Sequence, residues 1–289
     1  MLVVNKIDRL PLISITNILR TCDNQIVVGY IDHKDISDIP QNPRITFVNL
    51  GSDFKDLNFK NLSRKYISFD NDLFFKLVQL KWVLFEKVFE NFHFDFLVYS
   101  DLDVLWVKNP IEEFSKLFAA YPDTLALVQD FTTDPSSPNL CMGIFVLRNH
   151  ISSQKLVENC KILHLEMAEK STRIGDDDVI TSYYRISKGV NIRLLPQVSF
   201  PVGNLLKAFA KRDVFPGLKP VTPYIFHANF VVGNLKKIMV LDLFMSFFNK
   251  RIISVNYFEH IYFKSQIFLK FRLNWIRHLA RSLLKKNNE

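Results

Sequence analysis

Two carboxylates one residue apart, Asp101 and Asp103, close the apolar run FDFLVYS at 94–100, and the chain turns apolar again in VLWVKNP at 104–110. In an extended segment, side chains two residues apart point to the same side. Both carboxylates are therefore expected to reach one point in space. Two hard oxygen donors facing one spot suit Mg2+ or Mn2+, cations that keep positions open for water and phosphate oxygens. A divalent cation held there neutralises a diphosphate leaving group. The plain alternative is a polar turn in which the aspartates do ordinary turn chemistry. The apolar runs on both sides argue for a site.

Such a pair needs a frame, and the surrounding pattern predicts one. LVV (2–4) reads as a short opening strand, LPLISITNILRTC (10–22) as a helix, and QIVVGYI (25–31) and RITFVNL (44–50) as strands with Pro40 and Pro43 between them. The spacing predicts one long helix over 70–90, capped by Asp70 or Asn71, with Leu73, Leu77, Leu80, Leu84 and Val88 on a single face. A buried strand at 94–100, a helix near 111–120, a strand at 124–130 and a Pro/Ser loop at 131–139 come next. A strand at 142–149 and helices at 152–170 and 175–187 follow. This alternation predicts an α/β sandwich around a mostly parallel sheet. Ligands of such sheets bind beyond the carboxyl ends of strands, where Asp101 and Asp103 fall.

Two enzyme classes end an apolar strand on Asp-x-Asp. In haloacid-dehalogenase-like phosphatases the first Asp is a nucleophile; in GT-A glycosyltransferases the motif holds a metal and the diphosphate of a nucleotide sugar. NLCMGIFVLRNH (139–150), RIGDDDVITSYY (173–184), FPVGN (200–204) and YIFHANFVVGNLKK (224–237) separate the two. With YSDLDVLWVKNP, they resemble the nucleotide-diphospho-sugar transferase family that includes plant and animal α-xylosyl- and α-galactosyltransferases. In that family a lysine-bearing helix precedes SD-x-DVVW-x-x-P. N-x-GF-x-x-LR, an acidic helix start, F-x-x-G and H-x-N-x-x-x-G-x-x-K then follow. The order and approximate spacing are matched here from Lys81 to Lys237. NLCMGIF departs from the tighter Asn-x-Gly, and GDDDVI has Asp177 where Gln is frequent. The phosphatase motif normally opens its fold, whereas 100 residues precede it here, and GDDDVI lacks the GDxxxD spacing. An inactive membrane-peripheral scaffold is the non-catalytic alternative.

The resemblance implies a GT-A, Rossmann-like fold and metal-dependent transfer of a sugar from a nucleotide-diphosphate donor, with a UDP-sugar expected. It points to retention at the anomeric carbon; the acceptor is expected to be a cell-surface glycan or, given the basic tail described below, a lipid-linked one. It implies Asp103 as a metal ligand and Asp101 as a contact to the metal through water, or to the ribose and sugar. It makes His227 the third ligand to Mn2+ or Mg2+, places Lys236 or Lys237 on the diphosphate, and has Gly233 let the backbone approach it. Asp177, and after it Asp176, would face the donor sugar. Read alone, the acids at 176–178 complement a helix dipole, although three exceed what capping needs. Asn139, Met142 and Gly143 precede the strand beside the donor. Lys81 is a candidate phosphate contact, with a solvated helix lysine as the default. Asn5 and Tyr30, at the first two strands, are candidates for uridine contacts.

The 289-residue chain is 48% hydrophobic with 27 Phe, enough for a sizeable core. Cys22, Cys141 and Cys160 show no metal spacing and suggest a reducing compartment. The N-terminal apolar run is too short for a signal peptide. No apolar run reaches the roughly 18 residues of a membrane span; IMVLDLFMSFF is broken by Asp242. Residues 236–289 hold 11 Lys/Arg against 3 Asp/Glu, which accounts for the whole net charge of +8. Two parts are therefore expected: a catalytic domain at 1–237 and a helical, basic extension at 238–289. In the extension, Phe268, Phe271, Trp275, Ile276, Leu279 and Leu283 share one helical face, away from Lys270, Arg277 and Arg281. Helices of this kind lie on anionic membrane surfaces. The tail lacks the polar spacing of a nucleic-acid-binding arm, so no nucleic acid partner is expected. The expected location is cytoplasmic, with a peripheral place on the inner membrane face.

Overall fold

A computed structural model describes residues 2–3, 10–32, 36–51, 72–130, 137–189, 191–202, 223–229, 237–238 and 240–241. Their elements are β1 (Leu2–Val3), α1 (Leu10–Thr21), β2 (Ile26–Tyr30), β3 (Ile45–Asn49), α2 (Asp72–Val78), α3 (Leu80–Asn91), β4 (Phe96–Ser100), β5 (Val104–Trp106) and α4 (Ile111–Ala120). Then follow β6 (Ala126–Asp130), β7 (Leu140–Arg148), α5 (Ile151–Lys170), α6 (Asp176–Ile186), β8 (Ile192–Leu194) and β9 (Ile225–His227).

The architecture is the mixed α/β class that the alternation predicts. β1, β2 and β3 pair in parallel, as do β6 and β8. β7 runs antiparallel to both of its neighbours, β4 and β6. Only residues 131–139 separate β6 from β7, fewer than the dozen or so that a parallel crossover requires. β5 pairs antiparallel with β9 in a small sheet of its own.

The strands alternate faces, and helices cover both. Val128, Phe145 and Leu147 pack with Leu80, Leu84, Phe85 and Val88 of α3 and with α5 and α6. Leu127, Ile144 and Val146 face the other way, toward Ile15 and Ile18 of α1 and Phe114 and Phe118 of α4. Each fully buried side chain of this size contributes about 1.5–3 kcal/mol of hydrophobic stabilisation. The helix expected over 70–90 is divided at Gln79 into α2 and α3. The division is one tightened turn, because Trp82 N–H donates to the Gln79 carbonyl three residues back. Leu77, Leu80, Leu84 and Val88 are buried as expected, and the side chain of Leu73 lies outside the described residues.

In the sequence, β5 reads only as an apolar approach to Pro110. Its outer edge is completed by a side chain: Asn17 of α1 accepts from Trp106 N–H at 2.7 Å and donates to the Trp106 carbonyl at 3.0 Å. An amide thus stands where a neighbouring strand would, and it fixes β5 beside the turn that carries the two aspartates.

Candidate active site

Backbone pairing closes a separation of more than a hundred residues. In the β5–β9 register Val104 faces His227, and Ala228 N–H donates to the Asp103 carbonyl at 2.9 Å. His227 Nε2 therefore lies 3.2 Å from Asp103 Oδ1 and 4.0 Å from Asp101 Oδ2. The extended geometry expected for 101–103 is corrected. Residues 102 and 103 form a turn, and Val104 N–H donates back to the Asp101 carbonyl at 3.2 Å. β4 belongs to the β7 sheet and β5 to the β9 pair, so the chain must change direction between them. That turn still gathers both carboxylates: one ligand atom each from Asp101, Asp103 and His227 lie within 4.8 Å of one another. Two carboxylates and one imidazole form a donor set that suits Mn2+ well and Mg2+ adequately.

Lys237 donates to Asp103 Oδ2 at 2.5 Å. Burial works against ionisation of Asp103, but His227 and Lys237 outweigh it and hold the carboxyl far below the usual carboxylate range.

A bulge in β7 shapes the floor. Val128 pairs with Phe145, yet the next residue, Gln129, pairs with Cys141, so 142–144 are extra on the β7 side. Gln129 replaces the missing ladder with its side chain, accepting from Ile144 N–H at 3.0 Å and donating to the Phe200 carbonyl at 3.1 Å. The bulge turns the Gly143 carbonyl toward Asp101 N–H at 2.8 Å and Met142 N–H toward Asp177 Oδ1 at 2.6 Å. The His227 ring lies flat against Gly143, and any β-carbon there would occupy the position of the imidazole. Glycine is required by this close approach.

The other wall is a buried charge network. Lys81, expected by default to be solvated, is 7% exposed. It donates to Asp176 Oδ2 and lies 3.0 Å from Asp101 Oδ1. The correction has a simple cause: α3 packs its Lys81 turn between β4 and the start of α6, where two acids compensate the buried cation. Burial opposes the Lys81 charge, and Asp101 and Asp176 override it, so its acidity falls well below that of a free lysine. Tyr99 donates its hydroxyl to Asp101 Oδ1 at 2.8 Å. Of the three acids of α6, Asp178 is the cap, accepting from Gly175 N–H at 2.9 Å. Burial, and then the neighbouring charge of Asp176, push the Asp177 carboxyl well above the usual range and favour its neutral form.

The structure thus brings together Asp101, Asp103, His227, Lys237, Lys81, Asp176, Asp177, Met142 and Gly143. Asn139 sits at the start of β7, donating its backbone N–H to Asp130 and accepting from the Thr181 hydroxyl. Tyr30 ends β2, buried and edge-on to Phe47. Asn5, Gly233, Lys236, loop residues 131–136 and residues 242–289 lie outside the described residues. Sequence reasoning missed Tyr99, Gln129 and Asn229 and gave Cys141 no role. The usable signals were Tyr99, two residues before Asp101, and Asn229, the asparagine of the His-x-Asn pattern.

The constellation has known relatives. The profile of the nucleotide-diphospho-sugar transferase family matches residues 41–241. The chain belongs to this family. It is accordingly a glycosyltransferase, and the phosphatase reading is set aside. Mouse xyloside xylosyltransferase 1 in its apo form shares the fold at a TM-score of 0.51 and 12% identity, covering 80% of this chain and 96% of that one. The galactosyltransferase LgtC, solved with donor and acceptor sugar analogues, does so at 0.51 and 11%, covering 79% and 85%. The glycosyltransferase GlyE of Streptococcus pneumoniae TIGR4 reaches 0.50 and 13%, covering 88% and 65%. No curated protein sequence gives a significant match. Among the described residues no helix is long and apolar enough to cross a membrane.

Proposed function

We propose that this glycosyltransferase moves a hexosyl or pentosyl group from a UDP-sugar to a hydroxyl of a cell-surface glycan or lipid-linked acceptor, with retention at the anomeric carbon. One observation carries the reading: Asp101, Asp103 and His227 present ligand atoms within 4.8 Å of one another at the end of β4. Mn2+ or Mg2+ held by them supplies positive charge against the departing nucleoside diphosphate.

The chain's own groups share the remaining work. Lys237 carries a point charge suited to phosphate oxygens, and Lys236 and Gly233 belong to the same stretch. Lys81 fixes Asp101 and Asp176 relative to each other. Asp177, held by Met142 N–H through one oxygen, keeps its second oxygen for a donor-sugar hydroxyl. Asn139 borders the donor, and Asn5 and Tyr30 are proposed at the uridine. The hexosyl-or-pentosyl range follows the galactosyl and xylosyl groups named for two similar structures. The lipid-linked acceptor follows the basic amphipathic pattern of 261–284; co-sedimentation with anionic vesicles should separate the full chain from one lacking 242–289.

The test is a screen of UDP-sugars for hydrolysis and transfer, with and without Mn2+, on the wild type and Asp103→Ala. Metal-dependent turnover that the substitution abolishes supports the reading. An Asp103→Ala enzyme at the wild-type rate, or activity confined to phosphomonoesters, contradicts it.

A further inference from the structure

Cys141 stands beneath the histidine of this site. Its Sγ is 3.5 Å from His227 Nδ1, on the ring edge away from the aspartates, and Asn229 donates to the same sulfur at 3.6 Å. Cys141 and Gly143 lie two residues apart on β7 and bracket the imidazole, one at its Nδ1 edge and one under its face. The thiol is 1% exposed, which rules out a reactive role open to solvent.

We propose that Cys141 is a positioning residue, whose thiol holds the His227 ring with Nε2 aimed at Asp101 and Asp103. The chemistry favours a group that is both donor and acceptor. When Nε2 carries the ring proton and donates to Asp103, Nδ1 accepts from the thiol S–H. When Nε2 is bare and offers its lone pair to a cation, Nδ1–H donates to the sulfur instead. A thiol serves both tautomers, whereas a backbone carbonyl serves one. The partner of a ligating histidine's other nitrogen typically governs metal affinity by 10–100-fold. This inference rests on the proposed metal role of His227.

The experiment compares Cys141→Ser with Cys141→Val. Serine keeps a donor and an acceptor; valine approximates the volume and keeps neither. Mn2+ alone is titrated into each purified full-length protein, with free Mn2+ counted by electron paramagnetic resonance. The His227 ring nitrogens of the metal-free proteins are read in 15N spectra. Positioning predicts that valine weakens Mn2+ binding about ten-fold or more and moves the ring signals, while serine stays within a few-fold of wild type. Mere packing predicts the reverse order, and that result overturns the inference, as does a valine variant identical to wild type in both readouts. Circular dichroism confirms that each variant is folded. Wild type that binds no Mn2+ contradicts the metal reading instead, and the ring spectra still decide the role of Cys141.

Discussion

Two lysines flank the acidic cluster, and they differ in how they are held. Lys81 is 8% exposed at its side chain and pairs with acids from two different elements, Asp101 on the turn after β4 and Asp176 at the start of α6. Lys237 is 20% exposed and contacts Asp103 Oδ2, an oxygen of the candidate metal set. The first is almost fully buried. The second occupies ground where a cation and a diphosphate are proposed to go. Similar ion pairs thus divide into a brace and a placeholder, with burial telling them apart.

The largest expected effect breaks the placeholder side. Asp103→Ala removes the carboxylate shared by His227 and Lys237, and metal-dependent turnover of donor should fall by roughly two orders of magnitude or more, in the range that loss of a preorganised charge-stabilising group costs. Steady-state kinetics at saturating Mn2+ check it. Next is the brace. Lys81→Met leaves two acids with no cation between them, and breaking a buried pair costs about 3–5 kcal/mol. Thermal unfolding should show a large drop in Tm. Lys237→Ala should lower Tm less than Lys81→Met does, since Asp103 keeps His227 as a partner, yet it should raise the KM for donor. Equal loss of stability in both variants would erase the distinction.

Gly143→Ala sharpens the comparison at intermediate size. The added methyl meets the His227 ring, so the imidazole must move. Metal affinity should weaken more than stability does, as titration calorimetry beside thermal melts will show.

The smallest effect concerns the support behind the brace. His164 is fully buried, accepts at Nδ1 from Trp82 Nε1–H at 2.9 Å and donates from Nε2 to the Ile174 carbonyl at 3.0 Å. It ties the turn beside Lys81 to the residue before Gly175 and the α6 acids. Burial lowers its pKa below the ordinary histidine value. The neutral form is favoured by the fold, so the effect on stability is absent above pH about 6.5. Stability is lost as pH falls below that value, because the unfolded chain takes up a proton that the folded one resists. Denaturant melts from pH 7.5 to 5.5 should show this loss in wild type and a shallower one in His164→Gln.

Much of this site was legible in the sequence because its parts are local. The apolar run before Asp101 and the start of a helix after Gly175 are patterns of a few residues, and family resemblance linked them to His227. What was hidden depends on pairing between distant segments. The Asp101–Asp103 turn exists because β4 and β5 join different sheets, which no periodicity reports. Lys81 looks like a surface lysine on a helical wheel until α6 delivers Asp176 to it. The β7 bulge is visible only once β6 supplies the register and Gln129 fills the gap. Cys141 looked like a departure from a motif, and only the position of His227 gives it a partner.

The most direct test is Mn2+ affinity in the presence of UDP for wild type, Asp103→Ala and His227→Ala. Tight, UDP-enhanced binding in wild type that both substitutions abolish is the predicted result. Binding of Mn2+ and UDP that survives both would show that the ion sits elsewhere and would contradict the site described above.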